Sequence, residues 1–385
     1  MVVPHRVYTD GGMAGSGEFF GPRDVIAGNI QTSNAESCPC YNMLKLSRQL
    51  FFHTSDPKYM QYYERALYGQ ILATRQDVDS TTNPLLTYFV PVNPGARRSY
   101  GNLGTCCGGT GLESHTKFQD SIYFRSVDES ALYVNLYMAS TLHWPERGFT
   151  VTQETSYPTD PSGMTTLTVN GNGPLDIKLR VPYWVEKGYT VKVNGVEQQI
   201  DTTPGGYATL GRTWASGDTV AISMPFSLRV ERAIDIPSTQ SIPYGPVPLV
   251  IRHTATAYQD LSFYRDLALD GELTNSITPT GAPMTFTTNG FTLMPFYVND
   301  TNRYHAYFRR SEPEIVFGSV DSGVPNRQRG DGLTFLDVVW DQAPFPDKGA
   351  FVRTVEAVSS DWLQTGLLTR VERQSVLTAA ARSDL

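Results

Sequence analysis

Two hydrophobic periods divide the 385-residue chain. From about residue 130 onward the period is two. Leu175, Ile177, Leu179 and Val181 alternate with Asp176, Lys178 and Arg180, the pattern of a strand with one buried face. Val191 and Val193 lead into Asn194-Gly195, a dipeptide suited to a two-residue hairpin. Asn170-Gly171 and Pro204-Gly205-Gly206 mark further turns. Short strands at this spacing predict an antiparallel β-sandwich over 129–235. A second, less regular β-rich region over 236–312 is expected to complete it.

The first 128 residues show a helical period instead. Residues 8–22 (YTDGGMAGSGEFFGP) are too rich in glycine for a regular element. Ser37 then stands as an N-cap with Pro39 in the first turn, and the helix is expected to run to about Phe52. Asp56-Pro57 opens a second helix, to about residue 74, with Tyr59, Tyr63, Ala66, Leu67 and Ile71 on one face. The short link makes an antiparallel hairpin of the two. A third helix is predicted from Gly111 to Phe124. At the other end of the chain, Phe351, Val355, Val358 and Trp362 share one helical face, and Thr369 with Glu372 forms a capping box. A small helical module is expected over 313–385. The fold class reads as α+β and multidomain.

A net charge of −7 argues against a phosphate-backbone binder, so no nucleic-acid partner is expected. Apolar runs are only a few residues long, so no membrane span is expected. The first residues, MVVPHR, lack a basic segment followed by an apolar one, so no signal peptide is visible and localisation is left open. Four cysteines, Cys38, Cys40, Cys106 and Cys107, all fall in the first third. A disulfide scaffold would spread them; two tight pairs look like a site. Glu36, Cys38, Cys106 and Cys107 supply one carboxylate and three thiols, enough to close a tetrahedral zinc site. The long separation of the pairs excludes a zinc ribbon. Adjacent cysteines would approach the metal from a strained turn, to which Gly104, Gly108, Gly109 and Gly111 lend freedom. Spacing alone leaves two other readings open: buried apolar fillers, or a disulfide within Cys106-Cys107 or from Cys38 or Cys40.

Several segments occurring in one order narrow this. GSGEFFGP at 15–22, AESCPCYNMLKLSRQLF at 35–51, YYERALYGQIL at 62–72 and GTCCGGTGLESHTKFQDSIYF at 104–124 together resemble glycoside hydrolase family 127, the β-L-arabinofuranosidases. LRVPYW at 179–184 and RYHAYF at 303–308 look like that family's later part, so the resemblance covers about residues 5–310. It implies an (α/α)6 barrel followed by β-sandwich domains, and a retaining hydrolase with a zinc-bound cysteine nucleophile. Carried over by motif, Glu36, Cys38, Cys106 and Cys107 match the Zn2+ ligands, and Cys106 matches the nucleophile. Glu18 matches the general acid/base, and Glu64 and Tyr88 fall where the family contacts the sugar. The implied partner is an arabinose-containing plant glycan or glycoprotein oligosaccharide, handled outside the cell or at its envelope by a full-length parent.

The departures from the family pattern are specific. Cys40 has no ligand role there and reads as a buried small residue. Gly108-Gly109 follows the cysteine pair where a proline-containing turn is common. Only three helices precede the sandwich, so the chain is expected to begin inside the barrel, in its C-terminal part. None of His5, His53, His115, His143, His253 and His305 takes a sugar-pocket role, although His115 is placed to support the cluster. An open half-barrel should expose an apolar patch, pack its helices at 39–53 and 57–74 against each other and the sandwich, and favour a homodimer through the open side. Two other classes compete: a carbohydrate-binding or structural fragment without activity, and a hydrolase that activates water on zinc. Four protein ligands leave no open metal position, which disfavours the last.

Overall fold

The computed structural model describes residues 2–15, 17–76, 85–101, 104–298 and 301–385. Helix α1 spans Ser37–Thr54. Its N-cap is Glu36 rather than Ser37, one residue earlier than the capping preference suggests, and the Glu36 side chain makes no cap bond because it is used elsewhere. Cys40, Leu44, Ser47 and Phe51 form its buried stripe. Ser55, in the left-handed region at φ 52, ends it. Helix α2 spans Lys58–Ala66 and continues as a π-helical turn over Leu67–Ile71. That turn brings Gly69 onto the chain at Asp10, where a Cβ would lie 2.1 Å from the Asp10 carbonyl oxygen. Gln70 N then donates to that oxygen at 2.8 Å.

Helix α3 spans Cys106–Ser114 and corrects the expected third helix. The Thr105 hydroxyl accepts the Gly108 amide at 3.0 Å, so helix begins at the cysteine pair instead of at Gly111. The cysteines therefore occupy a helical first turn, not a strained one. Gly104, Gly108, Gly109 and Gly111 all avoid positive φ. Gly111 packs closely on Leu86, whose side chain would lie 2.9 Å from a Cβ at that position. After a 3-10 turn at Phe118–Ser121 the chain is already strand at Tyr123. Among the described residues, α1 packs against both α2 and α3.

The sandwich has two layers. One holds β1 (Tyr123–Arg125), β2 (Ala131–Val134), β6 (Gly173–Arg180) and β9 (Tyr207–Trp214) in that order. The other holds β3 (Ser140–Trp144), β4 (Phe149–Thr155), β5 (Thr165–Asn170), β10 (Asp218–Ser223), β7 (Thr190–Val193) and β8 (Val196–Glu197). Leu175, Ile177, Leu179 and Val181 point inward as their alternation predicts. Asn194 and Gly195 both take positive φ and join β7 to β8. One feature departs from an antiparallel sandwich: β2 and β6 pair in parallel. The region from 231 builds its own nine-stranded sheet around Thr239–Tyr244, Val247–Arg252 and Phe291–Pro295, separate from the two sheets of the sandwich. The C-terminal segment opens with a hairpin, Glu314–Phe317 and Val320–Pro325, before turning helical at Phe335–Trp340, Lys348–Gln364 and Arg370–Arg382. Phe351, Val355, Val358 and Trp362 are buried together, and the Thr369 capping box is present.

Helices and sandwich share one core, as expected of the helix pair. Among the described residues of the N-terminal third, the exposed large apolar side chains are Phe19, Phe20, Leu46, Phe52, Leu112 and Val127. The joint between the two parts is a buried ion pair. Glu64 on α2 receives Arg180 from β6, with the pair 1% and 0% exposed. Tyr157 donates to the same carboxylate at 2.7 Å and Trp184 Nε1 at 2.9 Å. Gln61 accepts a second Arg180 nitrogen at 2.7 Å. Removing one partner strands a buried charge. Glu64→Ala should lower unfolding free energy by about 3–5 kcal/mol in chemical denaturation, and Glu64→Ala with Arg180→Met should recover much of it. A single variant of unchanged stability would contradict this.

Candidate metal centre and active site

The site forms where the N-termini of α1 and α3 meet. Residues 35–37 run beside 88–90: Ser37 N donates to Tyr88 O and Val90 N to Ala35 O, both at 3.0 Å. From the π-helical turn, Gln70 Nε2 donates to Ala35 O at 2.6 Å and Glu36 O at 3.1 Å. Ala35, at φ 54, is held further by Ala14 O. The chain entering α1 is thus fixed from three sides.

This brings Glu36, Cys38, Cys106 and Cys107 together, with one ligand atom from each lying within 4.8 Å of the others. Cys107 Sγ donates to Glu36 Oε1 at 3.3 Å and lies 3.2 Å from Cys38 Sγ. Thr110 Oγ1 lies 3.2 Å from Cys38 Sγ. All four cysteines are free thiols, so the disulfide readings do not hold. Burial pushes the Cys38 and Cys107 thiols and the Glu36 carboxyl up from their ordinary values. Groups so placed hold protons unless a cation compensates them. Three sulfurs and one oxygen in a single sphere fit a thiolate-binding divalent metal.

Cys106 differs from the other two. It is exposed, and the Tyr88 hydroxyl beside it lowers its thiol pKa. Tyr88 OH donates to Glu18 Oε1 and lies 3.3 Å from Cys106 Sγ. One hydroxyl between them puts carboxylate and thiol within about 6 Å, near the ~5–5.5 Å separation of retaining pairs. Glu18 sits on an exposed loop closed by Gly15 N to Phe19 O at 3.0 Å and Gly17 N to Ser33 O at 2.9 Å. From it opens a cleft of about 460 Å³ lined by Thr32, Thr87, Tyr88, Phe89, Pro91, Arg97 and Ser99. A larger cavity, about 700 Å³, lies away from this chemistry, around Arg65 and Glu231.

Glu64 is not at this site. Its carboxylate is closed in the core by Arg180, Tyr157 and Trp184, so the structure gives it a joining role in place of the expected sugar contact. Cys40 is fully buried, with Sγ 4.0 Å from Gly11 O, and stands apart from the cluster. His115 Nε2 lies 3.1 Å from Thr74 Oγ1, and its ring meets Phe118 edge-on. It supports the π-helical segment without touching a ligand atom. Sequence reasoning missed Gln70 and Thr110. Thr110 follows Cys106 by four residues, a helical spacing that signals its reach only once α3 is known to start at the pair.

Two models of one family match the chain. The catalytic domain of the GH127 β-L-arabinofuranosidases matches residues 1–120, and the GH127 middle domain matches 131–226, together over half of the sequence. The chain belongs to glycoside hydrolase family 127. Among solved structures, a glycoside hydrolase is similar with TM-score 0.64 and 17% identity, over 80% of this chain and 60% of its own. A GH127 β-L-arabinofuranosidase from Geobacillus stearothermophilus T6 follows with TM-score 0.61 and 21% identity, over 80% and 55%. The GH127 β-arabinofuranosidase BT3674 has TM-score 0.60 and 21% identity, over 80% and 54%. These likenesses establish the shared fold, and the chain spans between half and two thirds of each. Comparison with curated proteins gave no match.

Two measurements check the site's physical chemistry. In chelator-treated protein, iodoacetamide should label Cys106 first and Cys40 only on unfolding, as peptide mass mapping would show. Equal labelling of Cys40 and Cys106 in the folded protein would refute the exposure difference. Burial, then Arg75, lowers His115 to about 4 from 6.5. The unfolded chain binds that proton first as pH falls, so its contribution is present above 6.5 and lost toward about 4. His115→Gln, which keeps the bond to Thr74, should flatten this acid limb in denaturation midpoints recorded against pH.

Proposed function

We propose that the chain carries the catalytic apparatus of a zinc-dependent retaining hydrolase of β-L-arabinofuranosides. Its substrate would be an arabinose-containing plant glycan or glycoprotein oligosaccharide. Cys106 is the nucleophile and Glu18 the general acid/base. The observation that carries this is the Tyr88 hydroxyl, which joins Glu18 to Cys106 at the rim of the cysteine–glutamate cluster. A purely binding role gives no reason for that line of groups.

Glu36, Cys38, Cys106 and Cys107 would hold the zinc. When bound, it supplies positive charge that keeps the thiols ionised at neutral pH. The chain's own residues then account for the reaction. Cys106 Sγ attacks the anomeric carbon while Glu18 gives its proton to the departing oxygen. Carbon–oxygen bond breaking leaves arabinofuranose joined to sulfur. Glu18, now a carboxylate, takes a proton from water, whose oxygen attacks the same carbon and releases the Cys106 thiolate. Two inversions give net retention. Tyr88 orients Glu18 and contacts the sugar. Cys107, buried, and Cys38, partly covered, serve as ligands only.

Hydrolysis of an aryl β-L-arabinofuranoside tests this. Cys106→Ser should abolish turnover, because a serine hydroxyl is a far poorer nucleophile. Glu18→Gln should retain metal and fold yet lose about 10²–10⁴ in rate on leaving groups that need a proton, and less on activated ones. Mass spectrometry of Glu18→Gln with an activated substrate should find a pentosyl adduct on Cys106. Near-normal turnover by Cys106→Ser would remove the cysteine from the mechanism. Elemental analysis should give about one zinc per chain, falling when Cys38 or Cys107 is replaced.

A further inference from the structure

The cleft beside Glu18 contains the acid/base but not the nucleophile. In a retaining hydrolase the acid/base stands on the leaving-group side of the scissile bond. The cleft is therefore the leaving-group subsite, an assignment that rests on the function proposed above. Its lining includes one cation, Arg97. Arg97 is exposed and makes no hydrogen bond or ion pair with the described residues. Its neighbours along the chain are tied down. Ala96 O accepts Tyr304 N at 2.9 Å. Arg98 is 2% exposed, donates to Phe296 O and Val298 O, and lies over the rings of Phe296 and Tyr304. Thr87 pairs with Tyr100, which sets Ser99 beside Tyr88. The alternation of this extended segment puts residues 96 and 98 inward and 97 and 99 into the cleft. Arg97 thus stands on a fixed root, without a partner among the described residues, in a cleft that Phe89 also lines.

We propose that Arg97 recognises a carboxylate on the leaving group, making the preferred substrate an arabinofuranoside of a uronic-acid residue. A guanidinium held without a partner in a chain of net charge −7 is matched to an anion. Without Arg97, the overall negative charge would disfavour such a leaving group. Phe89 offers an apolar surface for the sugar ring, and Thr32 and Ser99 offer hydroxyls. A hydroxyproline inside a glycoprotein has its carboxyl tied in the peptide bond, so it presents nothing for Arg97 to hold. The charge therefore separates the two substrate classes in favour of the acidic glycan.

The experiment compares β-L-arabinofuranosyl galacturonate with its methyl ester, alongside an arabinosylated hydroxyproline peptide. In the wild type, kcat/KM should favour the acid over the ester by about fivefold, carried by KM and weakened by salt. Arg97→Glu should reverse the preference and Arg97→Lys keep part of it. Equal use of acid and ester, a preference that survives Arg97→Glu, or better use of the peptide than of the uronate would overturn the proposal. If the wild type fails even on a neutral nitrophenyl arabinofuranoside, the hydrolase reading is what fails. NMR titration with an acidic oligogalacturonide and its ester then decides Arg97 without turnover, and equal affinity would sink it.

Discussion

The buried contact between Glu64 and Arg180 holds the molecule's two halves in one frame. A charge at the centre of α2 has no stable place in an apolar core unless it meets an opposite charge and enough donors. Arg180, Tyr157 and Trp184 meet that need from the sandwich side. The pair fixes where α2 lies along β6. The far end of α2, continued as a π-helical turn, then delivers Gln70 to the backbone at Ala35 and Glu36. The position of the Glu36 carboxylate is therefore set, two steps removed, by an ion pair in the core.

The second constraint is the meeting of two helix N-termini. Cys38 stands at the start of α1, and Cys106 and Cys107 open α3. Unpaired amides at such ends favour negative charge. Both helices therefore place their thiols at ends that favour an anion, against the burial that raises Cys38 and Cys107. Thr105 caps α3 and so decides that the cysteine pair is helical. Consecutive helical positions point in different directions, which separates a buried Cys107 from an exposed Cys106.

Much of this was legible in the sequence, for identifiable reasons. The alternation around Ile177 and the stripe ending at Trp362 are periodic burial patterns and survive folding unchanged. The Glu36, Cys38, Cys106 and Cys107 cluster was legible as a group able to hold a metal because it takes three of only four cysteines. What failed was whatever depends on distant partners. Glu64 looks like a functional acid in YYERAL, yet its role is decided by Arg180, 116 residues away. The start of α3 was misplaced because consecutive glycines argue for a turn, and the Thr105 cap outweighs them. The region after 236 reads like more of the sandwich because strand periodicity does not say which sheet a strand joins.

The division between Cys106 and its neighbours explains how one cluster could both bind a metal and react. A ligand sphere that is wholly buried is inert, and one that is wholly exposed exchanges its metal and oxidises. Here Cys107 and Glu36 are sunk into the core and Cys38 is partly covered, while Cys106 is exposed. The buried members hold the geometry with little freedom to move. The exposed member has an open side, with Tyr88 and Glu18 arranged across it. The asymmetry arises from the helical step between two adjacent residues. Moving the start of α3 by one position would turn both side chains by about 100° about the helix axis and take each out of its present environment. The Thr105 cap is thus a determinant of chemistry as well as of secondary structure.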